Sequence, residues 1–104
     1  MQLVDTRAVI TGGLSGLGFA VAQHLVDQGG KVALFDINDA RAATALLKLG
    51  HENAAYFRTD VSNETQVTEN IRAAHAFMGG INTAVNCAGI LGAGRVLGRE
   101  ASMP

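Results

Sequence analysis

A cluster of glycines stands between a short apolar run and a helical pattern near the start of the chain, and it restricts the possible folds. Residues 7–11 (RAVIT) are apolar and β-branched, which is typical of a buried strand. The pattern then takes the period of a helix that begins at Gly16 and ends before Gly29. Its predicted apolar face consists of Leu17, Ala20, Val21 and Leu25. A strand, a glycine turn and a helix in this order indicate the first unit of a parallel α/β sheet.

The remaining sequence repeats this architecture without repeating its residues. Further strands are predicted at 31–36, 54–58 and 83–87, and a second helix at 39–49. We expect Ser62 to cap a third helix, which ends at Gly79 and whose apolar stripe is Val67, Ile71, Ala74 and Met78. The order βαβαβαβ predicts the α/β class, as the first half of a Rossmann-type doubly wound parallel sheet. We expect three layers, α/β/α, and the strand order 3-2-1-4. Residues 1–104 are interpreted as one domain that is incomplete at its carboxyl end, because the last strand lacks an outer partner.

Composition excludes several classes of function. The chain has 104 residues with a net charge of −1, so no basic face predicts nucleic acid or an anionic membrane as a partner. Its apolar runs fall far short of the ~20 residues that span a bilayer. Cys87 is the only cysteine, and His24, His51 and His75 lack the spacing of metal ligands, so no metal site is predicted. These features favour a reducing, cytoplasmic compartment.

The glycine turn has the properties of an anion site. Gly12, Gly16 and Gly18 carry no Cβ, so the backbone can approach a bulky anion closely. The helix that follows directs its free N–H groups and the positive end of its dipole to the same place. The natural occupant is a pyrophosphate, and Gly18 is expected to serve helix–strand packing. The alternative, that these are ordinary turn glycines, is disfavoured by their position between strand and helix.

Asp36 ends the second predicted strand, where a carboxylate can accept hydrogen bonds from both adenosine ribose hydroxyls. It would also repel a 2′-phosphate. Ile37 supplies no cation for such a phosphate, and Arg41 is expected to lie on the following helix. The alternative role, capping that helix, suits Asn38 and Asp39 better. The sequence therefore predicts NAD rather than NADP.

Two further sites follow from the predicted sheet. Asp60 and Val61 close the third strand, where a carboxylate and a backbone N–H can bracket an adenine edge. The segment 86–89 (NCAG) closes the fourth strand, where the strand order reverses and ligands of such sheets lie. Cys87 has no basic neighbour in sequence, which favours a buried, inert thiol. The predicted cofactor contacts are Gly12, Leu14, Ser15, Gly16, Leu17, Gly18, Asp36, Asp60, Val61, Asn86, Ala88 and Gly89.

Together these motifs resemble the short-chain dehydrogenase/reductase family. Residues 11–18 (TGGLSGLG) match its TGxxxGxG motif, and residues 86–89 match its NNAG motif except at Cys87. Within the family, ITGGLSGLG, Asp36 and NCAGI followed by RVLGRE look most like the type-2 3-hydroxyacyl-CoA dehydrogenase branch. The resemblance implies NAD-dependent oxidation of a 3-hydroxyacyl-CoA, or a similar small secondary alcohol, to the ketone. It also implies a homotetramer for the complete protein.

The chain departs from the family in its catalytic residues. The family works with a later Asn, a Ser and a Tyr-x-x-x-Lys pair. Tyr56 is the only tyrosine here, and Asp60 stands where the lysine of that pair would be. The only lysines, Lys31 and Lys48, precede it. No catalytic residue is therefore assigned, and the 104 residues alone are expected to be inactive. The alternative is a nucleotide-binding module without catalysis of its own.

Overall fold

The protein folds around four parallel strands that are joined by helices. The structure, a computed structural model, describes residues 3–87. The strands are β1 (Arg7–Thr11), β2 (Lys31–Asp36), β3 (Ala54–Arg58) and β4 (Thr83–Asn86), and the helices are α1 (Gly16–Asp27), α2 (Asp39–Leu49) and α3 (Glu64–Met78). The sheet order is β3-β2-β1-β4, which confirms the predicted order. A 3₁₀ turn, Leu3–Asp5, precedes β1.

Helices cover both faces of the sheet, and each face has its own core. The first core lies under α1 and α2 and includes Ile10, Val32, Leu34, Ala22, Ala45 and Leu49. The second lies under α3 and consists of Val9, Ala33, Phe35, Ala74 and Met78. Strand β2 is buried on both faces because its neighbours flank it and helices lie above and below it. The three predicted layers are present.

Strand β4 is one residue shorter than predicted. It pairs with β1 up to Thr11 and Asn86. Beyond Thr11 the first strand turns away into the glycine turn, so Cys87 has no opposite residue. Its N–H still donates to the carbonyl of Thr11 at 2.9 Å.

The predicted apolar face of α1 was right for Leu25, which is buried, and for Val21, which packs against the first core, but wrong for Leu17 and Ala20. Leu17 is 50% exposed and Ala20 is exposed, whereas Gly18, Ala22 and Leu25 are buried. The reason is the close approach of this helix to the preceding turn. Small side chains have to face the turn and the sheet, and the larger Leu17 is displaced outward.

The start of α3 also differs from its prediction. The N-cap is Asn63, whose side chain accepts from the N–H of Gln66 at 3.0 Å, while Ser62 is bound to Asp60 instead. Of the predicted stripe only Ala74 and Met78 are buried, while Val67 is half-buried and Ile71 is 38% exposed. Val67 and Ile71 both line a groove between α3 and the sheet.

The positions of the histidines and the lengths of the helices concern two classes considered above, metal-binding and membrane-spanning proteins. His24, His51 and His75 are exposed. Within residues 3–87, no three histidine, cysteine or acidic side chains are grouped as metal ligands. None of the described helices combines the length and apolar character needed to cross a membrane.

Candidate functional site

The glycine turn (residues 11–18) is held in shape by its own hydrogen bonds. Gly12 has a φ of +68°, which only glycine adopts without strain, and its N–H donates to the carbonyl of Phe35 at 2.8 Å. The Ser15 hydroxyl donates to the Gly12 carbonyl at 2.6 Å and accepts from the Gly18 N–H at 3.1 Å. Ser15 is thus the N-cap of α1 and also closes the turn.

Two donors at the start of α1 are left open by this arrangement. The N–H groups of Gly16 and Leu17 have no acceptor among residues 3–87, and both residues are exposed. A Cβ built on Gly16 would have no atom within 4 Å, so the space on the side-chain side of this residue is free. Free N–H groups at the positive end of a helix dipole can bind an anion.

Gly18 serves a different purpose from Gly16. A Cβ on Gly18 would lie 2.0 Å from the Gly12 carbonyl oxygen and 3.0 Å from the Cα of Gly13. The helix therefore packs directly on the backbone of the turn. The sequence predicts helix–strand packing at Gly18, whereas the contact is with Gly12 and Gly13, which directly follow β1.

Asp36 lies beside the glycine turn, to which its carboxylate is hydrogen-bonded. One oxygen accepts from the N–H of Leu14 at 2.9 Å, and the other accepts from the N–H groups of Ile37 at 2.7 Å and Asn38 at 3.3 Å. An ionised carboxylate has about four lone-pair sites, so it retains capacity for a ligand hydroxyl. The structure thus brings together the two strongest predicted features, the glycine turn and the acidic end of β2.

Asp60 and Val61 contribute unequally to the edge of the sheet. The hydroxyl and the N–H of Ser62 both donate to one oxygen of Asp60, at 2.6 and 2.9 Å. These bonds hold the pKa of the Asp60 carboxyl below its usual value. The N–H of Val61 has no acceptor in the described part of the chain, and its side chain is half exposed. Asp60 therefore already shapes the β3–α3 turn, while the Val61 N–H stays open.

Asn86 lies beside the end of β1, where the strand order reverses. The Thr11 hydroxyl donates to its side-chain oxygen at 2.7 Å. With Val61, both residues line a groove of about 570 Å³ between α3 and the sheet. Cys87 is buried, and this burial raises the pKa of its thiol, as expected of an inert cysteine. Ala88 and Gly89, like the RVLGRE segment, lie outside the described residues.

The sequence reasoning missed one charged group near Asp36. Arg58 ends β3 and is the register partner of Asp36. Its guanidinium donates to the Ile37 carbonyl at 2.9 Å and to Asp39 at 2.8 Å. The signal was available, since parallel strands in the order 3-2-1 bring the ends of β2 and β3 together. A cation therefore lies directly beside the acidic end of β2.

A parallel sheet with this strand order, a glycine turn leading into α1 and an acidic end of β2 define a Rossmann-type α/β protein. The profile of the short chain dehydrogenase family matches residues 6–102. The chain belongs to this family of oxidoreductases, whose members bind nicotinamide cofactors.

Individual relatives agree with this assignment. The chain is 42% identical over 83 residues to 3-hydroxyacyl-CoA dehydrogenase type-2 of Bos taurus, covering 80% of this chain and 31% of that protein. It is 41% identical over 90 residues to 3-beta-hydroxysteroid dehydrogenase of Comamonas testosteroni, covering 86% and 35%. The structure of 3-ketoacyl-(acyl-carrier-protein) reductase from Brucella melitensis, complexed with NADH, superposes with a TM-score of 0.74 at 29% identity. That match covers 79% of this chain and 34% of the other. The chain thus spans about a third of the length of the relatives it matches.

Proposed function

We propose that this chain binds NAD(H) and supplies the cofactor-binding half of an oxidoreductase. The observation that carries the proposal is the pair of open N–H groups at Gly16 and Leu17, with Asp36 bonded to the same turn through Leu14. The N–H groups would hold the pyrophosphate, and Asp36 would accept from a ribose hydroxyl. When bound, the nicotinamide accepts or donates a hydride.

The other contacts belong to the two ends of the cofactor. Val61 and Asp60 are proposed for the adenine, since the Val61 N–H is open and Val61 lines the groove between α3 and the sheet. Asn86 is proposed for the nicotinamide end, with Ala88 and Gly89 assigned from the sequence motif alone. Gly12, Ser15 and Gly18 shape the turn itself.

A preference for NADH over NADPH is expected of the parent chain, by about tenfold or more in dissociation constant. The reason is that the Asp36 carboxylate accepts from a ribose hydroxyl and repels a phosphate in its place. Calorimetric titration of both cofactors measures the preference. Asp36→Asn should weaken NADH binding and reduce the difference between the NADH and NADPH dissociation constants, because the charge is lost while one acceptor oxygen remains.

Asp27→Asn is the matched control for this experiment. It removes a carboxylate at the far end of α1 that accepts a hydrogen bond from the side chain of Gln23, so the affinities for both cofactors should stay unchanged. Asp36→Ala is a less informative variant, because it also removes the acceptor of three backbone N–H groups and loosens the turn. Tighter binding of NADPH than of NADH by the parent chain would contradict the assignment.

The substrate proposal depends on the relatives. Their names favour a 3-hydroxyacyl-CoA or a similar secondary alcohol, which the complete enzyme would oxidise to a ketone. A reducing, cytoplasmic setting and a homotetrameric complete protein belong to the same proposal. We place the catalytic Tyr-x-x-x-Lys pair outside this chain, since Tyr56 lies inside β3 and its hydroxyl is within hydrogen-bonding distance of Asp39.

The 104 residues alone are therefore expected to bind NADH and yet to produce none from NAD and 3-hydroxybutyryl-CoA. They are also expected to associate in solution, because β4 has no outer partner among the described strands and the groove beside α3 is apolar. Absorbance at the NADH band and the mass in solution test the two statements. Substrate turnover by a monomer of this chain would refute them.

A further inference from the structure

Two side chains of β3 hold the segment that follows β2. The Tyr56 hydroxyl lies 3.1 Å from the carbonyl oxygen of Asp36 and 2.5 Å from one oxygen of Asp39. Arg58 binds the other Asp39 oxygen and the Ile37 carbonyl, at 2.8 and 2.9 Å. Burial and then the bond to Asp39 raise the pKa of Tyr56 to about 12, so its hydroxyl keeps its proton at neutral pH. Asp39 is thus the point where both side chains meet.

The position of this pair matters because of what it adjoins. Arg58 is the register partner of Asp36, and it contacts Ile37, the residue next to the carboxylate proposed for the ribose. The side chains of Arg58 and Asp39 are 62% and 59% exposed, so the guanidinium is accessible to a ligand from solution. An ion pair exposed to this extent contributes little to stability. The ion pair therefore matters less for stability than for the charge that a ligand meets beside the proposed ribose position.

We propose that Asp39 is a second specificity-determining residue for the cofactor, because it pairs with Arg58 and withholds that cation from a ribose 2′-phosphate. The inference rests on the proposed function. A free guanidinium binds a phosphate with two parallel N–H bonds, and it is the preferred side chain for that purpose. With Asp39 present, the guanidinium is neutralised and fixed on the Ile37 carbonyl, and a phosphate meets two carboxylates instead.

The test is a double-mutant cycle read as the ratio of the NADPH and NADH affinities. In Asp39→Asn the amide still accepts from Tyr56, but the charge that pairs with Arg58 is gone. We expect the ratio to shift toward NADPH by roughly tenfold, a change that one charge-assisted hydrogen bond can supply. NADH affinity should change by less than about threefold, as for an exposed surface substitution. In Asp39→Asn with Arg58→Gln the shift should disappear.

Arg41 provides the matched control. It lies on α2 and lines a cleft of about 300 Å³ with Ser15 and Lys48, so it is another cation near the glycine turn. When Arg41→Gln is added to Asp39→Asn, the shift of the affinity ratio toward NADPH should remain. If Arg41→Gln removes the shift toward NADPH, another cation explains the shift and the proposal is overturned. If the shift persists after Arg58→Gln, the loss of the Asp39 carboxylate alone explains it, and the proposal is overturned as well.

A purely structural role for the pair predicts another result. Asp39→Asn would then loosen the segment after β2 and weaken the binding of both cofactors equally, with no change in the ratio of their affinities. That result would also overturn the inference, while leaving the proposed function intact. A parent chain that binds neither cofactor would refute the proposed function itself.

Discussion

Gly16→Val is expected to abolish measurable NADH binding while the chain keeps its fold. A Cβ at this position meets no atom within 4 Å, and Gly16 has no positive φ, so the fold accepts the substitution. Valine also has a better helix propensity than glycine. In the proposed complex the pyrophosphate occupies the open space beside Gly16, so a branched side chain there would keep it from the free N–H groups of Gly16 and Leu17. Losing two bonds to an anion, each about 1.5 kcal/mol or more, weakens binding on the order of a hundredfold.

Calorimetry measures the binding, and thermal unfolding measures the fold. Ala20→Val is the matched control, because Ala20 is an exposed residue one turn further along the same helix and away from the open donors. It should bind NADH as the parent does. Unchanged affinity in Gly16→Val would mean that the glycine turn serves the fold alone. A large fall in its unfolding temperature would mean that the site is not open as described.

Most of the fold was predictable because the hydrophobic pattern changes between that of a strand and that of a helix at the glycines. The bounds of β1, β2, β3 and α2 match those predicted. Each strand is a short apolar run, and each is separated from a helical pattern by residues that favour turns. The strand order was predictable for another reason. Right-handed crossovers and the position of the glycine turn leave few topologies.

The helix faces and the polar contacts were less accessible to sequence reasoning. A hydrophobic period selects the largest apolar residues, and so it predicted Leu17 rather than Gly18 on the buried face of α1. Close backbone contact selects the smallest residues instead. The link between Arg58 and Asp39 joins residues that are distant in sequence, so it depends on the register of β2 and β3. Sequence reasoning had placed Asp36 near the ribose but did not reveal the three N–H groups that it accepts from.

Gly18→Ala is expected to destabilise the chain far more than Gly16→Ala. The new Cβ would lie 2.0 Å from the Gly12 carbonyl oxygen and 2.8 Å from its carbon. Both are backbone atoms, and Gly12 is itself fixed by its bonds to Phe35 and Ser15, so no flexible side chain can move aside. Overpacking of this kind costs about 1–3 kcal/mol or more. We expect a loss of about 2 kcal/mol in the free energy of unfolding after the better helix propensity of alanine is counted.

Gly16→Ala makes this prediction specific, since it adds the same methyl group two residues earlier in the same helix. Its Cβ meets no atom within 4 Å, so alanine should leave the stability unchanged or raise it by up to about 1 kcal/mol. The two variants should therefore differ by roughly 10 °C or more in unfolding temperature, given a shift of about 4–8 °C per kcal/mol for a chain of this size. Circular dichroism during heating measures both. Equal unfolding temperatures would show that the helix can move away from Gly12 at little cost, and that the close contact at Gly18 does not determine how α1 leaves the turn.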